Sequence, residues 1–375
     1  MQSWSNDPDP KPVEIPPLNE ELPVISRETV VPYHQIDVNG ESANPTELMF
    51  EKPIVETSQM MADRLLSQGC EQYQACQFEI ALKSFRQAYG LYQEVDDRYG
   101  QGKALSSIGL TYYSLRNYAK AIEYSQKGLE ATQRLQDRRS MAKILGNLGN
   151  AYRHLKDTPK AIEYQKQSLA IAQEIEDRRS EMAALNNLGL AYKALGEHLV
   201  AIGYEEQSLA ISREIQDNQV EEQILKNLGN ACYALGNYSK AVEYYQQRLV
   251  LVQKTGDHRT EGQILRHLGN ASYALGDYDQ TINYGKQWLS ISQDTQDRRG
   301  QEQALGSIAI AYDALGNYAR AIDYYEQRLI LAQTMQDHRI QDQVLGSLKV
   351  AAYALGDYAK AAEYSQQRQA IAQTN

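Results

Sequence analysis

The chain reads as an all-α fold, a superhelical solenoid of about eight helix-turn-helix repeats, and three observations carry that reading. Seven aspartates (Asp97, Asp137, Asp177, Asp217, Asp257, Asp297 and Asp337) stand forty residues apart. Apolar residues inside each interval fall three and four apart, the spacing of one helix face. A short polar break built on glycine and asparagine or aspartate divides each interval into two such runs. A fixed period of this length marks one supersecondary unit stacked many times.

Within the interval from Asp137, Leu145, Leu148 and Tyr152 outline the first helix, helix A, and Ile162, Tyr164, Leu169 and Ala172 the second, helix B. The break between them is explicit at Gly236-Asn237-Tyr238, Gly276-Asp277-Tyr278 and Gly356-Asp357-Tyr358. Glycine ends one helix because it tolerates positive φ, and Asn or Asp caps the next. The periodic aspartates stand just before helix A, where each carboxylate accepts from unpaired backbone N–H groups and contributes roughly 1 kcal/mol as an N-cap. One carboxylate per unit makes no calcium ligand cluster. Small residues recur where the two helices meet: Gly69, Gly109, Gly149, Gly189, Gly229 and Gly269 in helix A, and Ala81, Ala121, Ala161, Ala201, Ala241, Ala321 and Ala361 in helix B, with Thr281 the exception. A mid-helix glycine costs about 1 kcal/mol against alanine, so its repetition implies a close approach. The column Tyr124, Tyr164, Tyr204, Tyr244, Tyr284, Tyr324 and Tyr364 reads as packing between helices. Trp288 replaces smaller residues at its position and reads as a surface feature of one unit.

Leu-Gly-x-x-Tyr, as at Leu148 to Tyr152, followed by Gly-x-Tyr-x-x-Ala, as at Gly236 to Ala241, resembles the tetratricopeptide repeat. The forty-residue form with Leu-Gly-Asn and a following Asp-Arg is similar to the repeats of LGN/Pins-type adaptors and of bacterial multi-repeat proteins, cyanobacterial ones included. The resemblance covers residues 57 to 375, with units beginning near 57, 97, 137, 177, 217, 257, 297 and 337, and it implies a right-handed superhelix. The first unit departs from the pattern, with Cys76 at its turn and Gln68 at an apolar position. The last has Lys349 for the glycine and Gln369 for a leucine, as suits a repeat whose outer face meets water.

Nine of the ten prolines lie between Pro8 and Pro53, so residues 1 to 56 read as a separate, disordered tail. Its eleven acids against three bases leave −8 of the total −10, and the repeats carry the remaining −2. That balance argues against nucleic acid as a partner. No apolar run is long enough to span a bilayer and the amino terminus lacks signal-peptide character, so the expected compartment is the cytoplasm. Cys70, Cys76 and Cys232 have neither metal-binding spacing nor a disulfide framework.

In tetratricopeptide arrays helix A lines the concave side. Carried onto this sequence, the concave rows of the central units hold Lys143, Arg153, Lys193, Lys226 and Arg266 and no acid, with Asn150, Asn230 and Asn270 as a partial ladder and Tyr233 and Tyr273 on the last row. Asparagine donates to a peptide carbonyl and accepts from its N–H, so such a row can hold an extended backbone. In LGN-like arrays these residue types clasp acidic segments, which is what the resemblance implies here. The alternatives are solvated lysines and arginines, and asparagines that bridge neighbouring helices. Arg139, Arg179, Arg259, Arg299 and Arg339 follow the caps by two and read as ion pairs with nearby acids such as Glu174 or Glu176.

No nucleophile elbow, phosphate-binding loop or metal spacing occurs, so neither enzymatic activity nor a cofactor or metal is expected. The expected function is a protein-protein interaction scaffold whose basic groove takes an acidic segment of a partner protein, without membrane insertion. The alternative is a self-inhibited switch or signal-peptide sensor in which the acidic tail occupies the groove.

Overall fold

A computed structural model describes residues 57–374, and the tail expected at residues 1–56 lies outside the described residues. Every described element is an α-helix, and the helices form two compact units divided in the turn after Leu195. The first unit holds α1 (Ser58–Gln74), α2 (Phe78–Glu94), α3 (Arg98–Ser114), α4 (Tyr118–Leu135), α5 (Arg138–His154), α6 (Thr158–Glu174) and α7 (Arg178–Ala194). The second holds α8 (His198–Glu214), α9 (Asn218–Ala234), α10 (Tyr238–Gln253), α11 (His258–Leu275), α12 (Tyr278–Asp294), α13 (Arg298–Ala314), α14 (Tyr318–Thr334), α15 (His338–Leu355) and α16 (Tyr358–Thr374). Odd-numbered helices are A helices and even-numbered ones B helices. The all-α repeat fold expected from the period is the fold of both units.

All seven periodic aspartates cap helix A. Each side chain accepts from the backbone N–H three residues on, from Gly100 at 3.0 Å for Asp97 to Ser180 at 3.2 Å for Asp177. Most B helices use the same device, with Asn117, Asp157, Asn237, Asp277, Asn317 and Asp357 as caps. The residue before each cap is left-handed, at every twentieth position from Cys76 to Gly356. That conformation lets the cap residue's own N–H close the preceding helix, as where Asp137 donates to the Thr132 carbonyl at 3.1 Å. One residue therefore ends one helix and starts the next.

Each unit has its core between helices. Ile144, Leu148 and Leu188 are fully buried in the first, and Ile224, Leu228 and Ile264 in the second. The helix B alanines pack at 5 % exposure or less, and Thr281 fits the same place at 1 %, its Oγ1 donating to the Asp277 carbonyl at 3.0 Å. The expected close approach at the helix A glycines holds in several hairpins. A Cβ at Gly69 would lie 2.6 Å from the Phe85 ring, at Gly149 2.6 Å from the Gln165 amide, and at Gly229 2.4 Å from the Tyr245 ring. It fails at Gly269, where the nearest side chain is Ser307 at 3.7 Å, because helix B there presents Gly285 in the corresponding place.

The tyrosine column packs between helices, as expected. Tyr124, Tyr164 and Tyr324 stack on Tyr112, Tyr152 and Tyr312 with centroids 5.3–5.5 Å apart. Tyr244 and Tyr364 donate to Glu206 and Glu326 of the preceding B helix at 2.7 and 2.6 Å, and Tyr284 accepts from Gln246 at 2.8 Å. Trp288 is a correction: it is 7 % exposed, part of the interior of the second unit rather than a surface feature. In the last hairpin Lys349 and Gln369 are exposed, in keeping with a terminal repeat facing water. Among the described residues no helix is long and apolar enough to cross a membrane.

Candidate functional site

The expected site residues fall in both units, and each unit has its own set. In the first, Lys143, Asn150 and Arg153 lie along α5 and Lys193 near the end of α7, all half-buried. The Asn150 carbonyl oxygen accepts from Gln165 Nε2 at 3.1 Å, and the same amide group donates to the Gly146 carbonyl at 2.9 Å. This asparagine therefore bridges α5 to α6, the alternative role considered above, while its Nδ2 makes no hydrogen bond among the described residues. The buried Nε of Arg153 also has no hydrogen-bond partner there. Beside it Tyr113 shares a 3.0 Å hydrogen bond with His154, whose ring stacks on Tyr118 at 4.6 Å.

In the second unit Lys226, Asn230 and Tyr233 follow one another along α9, and Arg266, Asn270 and Tyr273 repeat the arrangement on α11. Asn230 accepts from the Tyr245 hydroxyl at 2.7 Å, so its carbonyl too is engaged within its own hairpin. Asn270 is exposed and makes no such bond, because the facing residue on α12 is Gly285, which has no side chain to offer. Tyr233 and Tyr273 are 38 % and 37 % exposed. Each ring leans on the tyrosine that opens the next helix, Tyr238 and Tyr278, at 5.2 Å. The first contact is edge-to-face and the second tilted, so each ring is held by its neighbour while the residue stays partly exposed.

The electrostatics of this face are legible at His267. The ring stacks on Tyr245, and burial followed by the charges of Arg266, Arg248 and Lys226 pushes its pKa down to about 4. At neutral pH His267 is therefore uncharged, and the local field disfavours further positive charge. Asp313, at the position of Tyr273 one hairpin on, bounds the basic stretch, and burial pushes its carboxyl pKa up.

A second set of charges escaped the sequence reading. Arg248, Arg328 and Arg368 reach from helix B onto helix A and pair with Glu222, Glu302 and Asp342, each 26 residues earlier, at 2.6–2.7 Å. Arg248 and Glu302 are 4 % and 2 % exposed, so the first two pairs are interior, whereas Arg368 and Asp342 meet at the surface. The signal was the forty-residue recurrence of the arginines alone, since the acids begin the row just before the one treated as concave. The remaining hairpin of this unit, α11 with α12, has Gly262 and Trp288 in place of the pair. Two of the five arginines that follow the caps by two make ion pairs. Arg139 pairs with Asp177 at 3.5 Å and Arg299 with Asp337 at 3.0 Å, so the acid is the cap of the next repeat rather than Glu174 or Glu176. It is Arg138 that reaches Glu174, at 3.3 Å.

Among the described residues no group of three or more His, Cys, Asp or Glu side chains could hold a metal ion. Burial pushes the Cys70 thiol up to about 11, which leaves it protonated and unreactive at neutral pH.

Family models of the tetratricopeptide repeat match residues 140–214, 220–294 and 260–334, and a second such model matches residues 102–134. No curated protein matches the chain. Among solved structures, BtubC (BKLC) from P. vanneervenii is similar over 63 % of this chain and 92 % of that one, at 18 % identity and a TM-score of 0.50. The STAND signal-transduction ATPase with a tetratricopeptide repeat sensor from Pyrococcus horikoshii aligns over 84 % of this chain at 19 % identity and a TM-score of 0.54, and the match spans 48 % of that protein. The apo form of RapI aligns over 73 % of this chain and 98 % of its own, at 16 % identity and a TM-score of 0.52. At these identities the likeness is one of fold. The family matches cover the helix hairpins of both units, and a repeat of this kind fits a protein-interaction scaffold: the chain is a tetratricopeptide repeat protein.

Proposed function

We propose that the protein is a non-enzymatic scaffold whose A-helix faces hold an acidic segment of a partner protein. The observation that carries the reading is the repeated trio on α9 and α11: a cation, an asparagine and an exposed tyrosine, Lys226-Asn230-Tyr233 and Arg266-Asn270-Tyr273. A cation attracts a carboxylate, the asparagine amide donates to a peptide carbonyl, and the tyrosine offers a flat surface with a polar tip. Lys226 and Arg266 are the cations of the two trios, and they supply the attraction. The α5 and α7 residues Lys143, Asn150, Arg153 and Lys193 are the corresponding set in the first unit.

The test is charge reversal. In Lys226→Glu/Arg266→Glu, capture of acidic peptides from a twelve-residue peptide array should fall by at least about tenfold, the loss of one or two charge-assisted contacts. The helical circular dichroism should be unchanged, because both side chains are partly exposed. Undiminished capture by a folded double variant would remove these residues from the site. Lys143→Glu/Lys193→Glu asks the same of the first unit.

A further inference from the structure

Three features of α11, α12 and α13 stand apart from the rest of the second unit, and together they describe a ligand. First, the ion pair repeated in that unit's other hairpins is missing. Where α9, α13 and α15 carry Glu222, Glu302 and Asp342, α11 carries Gly262, and where the facing helices carry arginine, α12 carries Trp288. A Cβ on Gly262 would lie 3.3 Å from Trp288 Cδ1 and 3.4 Å from Nε1, so the indole edge lies against bare backbone. Second, a cavity of ≈ 510 Å³ opens here, with Trp288 in its lining. Third, the lining keeps its cations although the acid is gone. Arg259 and Arg266 flank Gly262 along α11, and Arg299 reaches in from α13.

Asp297 also lines the cavity, and its carboxylate is engaged by the Gly300 N–H at 3.0 Å. Arg299 is paired with Asp337. Arg259 and Arg266 make no ion pair among the described residues; the charge of Arg259 helps lower the Asp257 pKa, and Arg266 is left without a carboxylate in contact. The Trp288 indole N–H likewise makes no hydrogen bond among the described residues. A flat apolar wall, an available donor on its edge and two guanidinium groups call for a planar ring that bears an anionic group. The volume lies in the range of pockets that enclose a whole small molecule, and one peptide side chain would leave most of it empty.

We propose that this cavity is a binding site for a small aromatic anion, an aryl carboxylate or aryl phosphate, distinct from the peptide-holding faces although Arg266 borders both. The ring lies against the indole and the anionic group meets Arg259 and Arg266. The missing pair is what makes the site: a glutamate at position 262 and an arginine at 288 would fill the hollow and pair with each other, as Glu222 and Arg248 do.

The chain has two tryptophans, Trp4 and Trp288, so the full-length Trp4→Phe protein carries its only indole in the cavity. Titration with 2-naphthoate should change Trp288 fluorescence saturably. The neutral 2-naphthamide should bind at least about tenfold more weakly, as should the acid to Arg266→Gln. Inorganic phosphate should leave the signal unmoved, since charge without the ring is not enough. The double variant Gly262→Glu/Trp288→Arg restores the arrangement of the neighbouring hairpins and so is built to fold. Calorimetry should find no naphthoate binding to it. Equal binding of acid and amide, undiminished binding to the folded double variant, or no saturable response with the wild-type cavity would each overturn the proposal. None of these outcomes depends on whether Lys226 and Tyr233 hold a peptide, so the two readings fail separately.

Discussion

Gln216 carries two obligations at once. Its φ of 57° is left-handed, and the turn it makes lets Asp217 donate to the Ser212 carbonyl at 2.9 Å while its carboxylate caps α9. Fifteen turns use this geometry, and nine of them place a residue other than glycine in it. For an L-residue the left-handed region costs roughly 1–2 kcal/mol, partly offset by glycine's larger unfolded-state entropy. Where glycine does occupy the position, as at Gly236 and Gly316, nothing lies within 4 Å of the missing Cβ, so the side chain has no packing role there. Gln216→Gly and Gln296→Gly should therefore each raise stability by about 0.5–1 kcal/mol, read as a rise in urea midpoint. The two should add, since the sites are far apart. Gln216→Val should lower the midpoint, because a β-branched residue suits positive φ worst. A fall on introducing glycine would mean that the glutamine makes contacts which outweigh its backbone strain.

At the scale of the helix hairpin, one relation decides each interior: what helix B lays against a given turn of helix A. Phe85, Gln165 and Tyr245 fill the space over a glycine. Arg328 lies over Gly306 and reaches Glu302, which is 2 % exposed. Removing one partner of such a pair strands a buried charge, at about 3–5 kcal/mol, whereas replacing both by packed apolar groups is close to neutral. Glu302→Ala should therefore speed amide hydrogen exchange across α13 and α14 by two orders of magnitude or more. Glu302→Gly/Arg328→Trp, the pair that α11 and α12 already use, should restore most of the protection. Equal exchange in the two variants would show that the ion pair contributes little. The same relation explains what could be read from the sequence. The caps, the glycines and the tyrosine column each recur at one position, and recurrence at a fixed period is visible in one dimension. The burial of Trp288 depends on Gly262, 26 residues earlier on another helix. The bridging roles of Asn150 and Asn230 depend on Gln165 and Tyr245, which differ in size and in the polar group they offer. Such cross-helix pairs change identity from hairpin to hairpin, so periodicity does not reveal them. The basic character of the candidate residues was legible; which of them already had partners was not.

At the scale of the whole molecule, charge is unevenly placed. Residues 1–56 carry −8 of the net −10, joined to repeats that carry −2 and expose cations on their A helices. A segment tethered to its binding face competes at an effective concentration in the millimolar range. Even a weak intramolecular contact, with an intrinsic Kd of about 0.1 mM, would then occupy a face about nine-tenths of the time and lower the apparent affinity for an outside acidic peptide about tenfold. This is the switch reading in quantitative form. Deleting residues 1–56 should tighten binding of an acidic peptide by that factor, and adding the tail as a separate peptide should loosen it again. The gain should shrink between low and 0.5 M salt, because the competition is between exposed charges that salt screens. Lys226→Glu/Arg266→Glu should abolish the effect of the deletion together with the binding. Identical affinities with and without the tail would sink the switch and leave the peptide-holding faces intact, since a tail that never docks makes no difference to what a partner meets there.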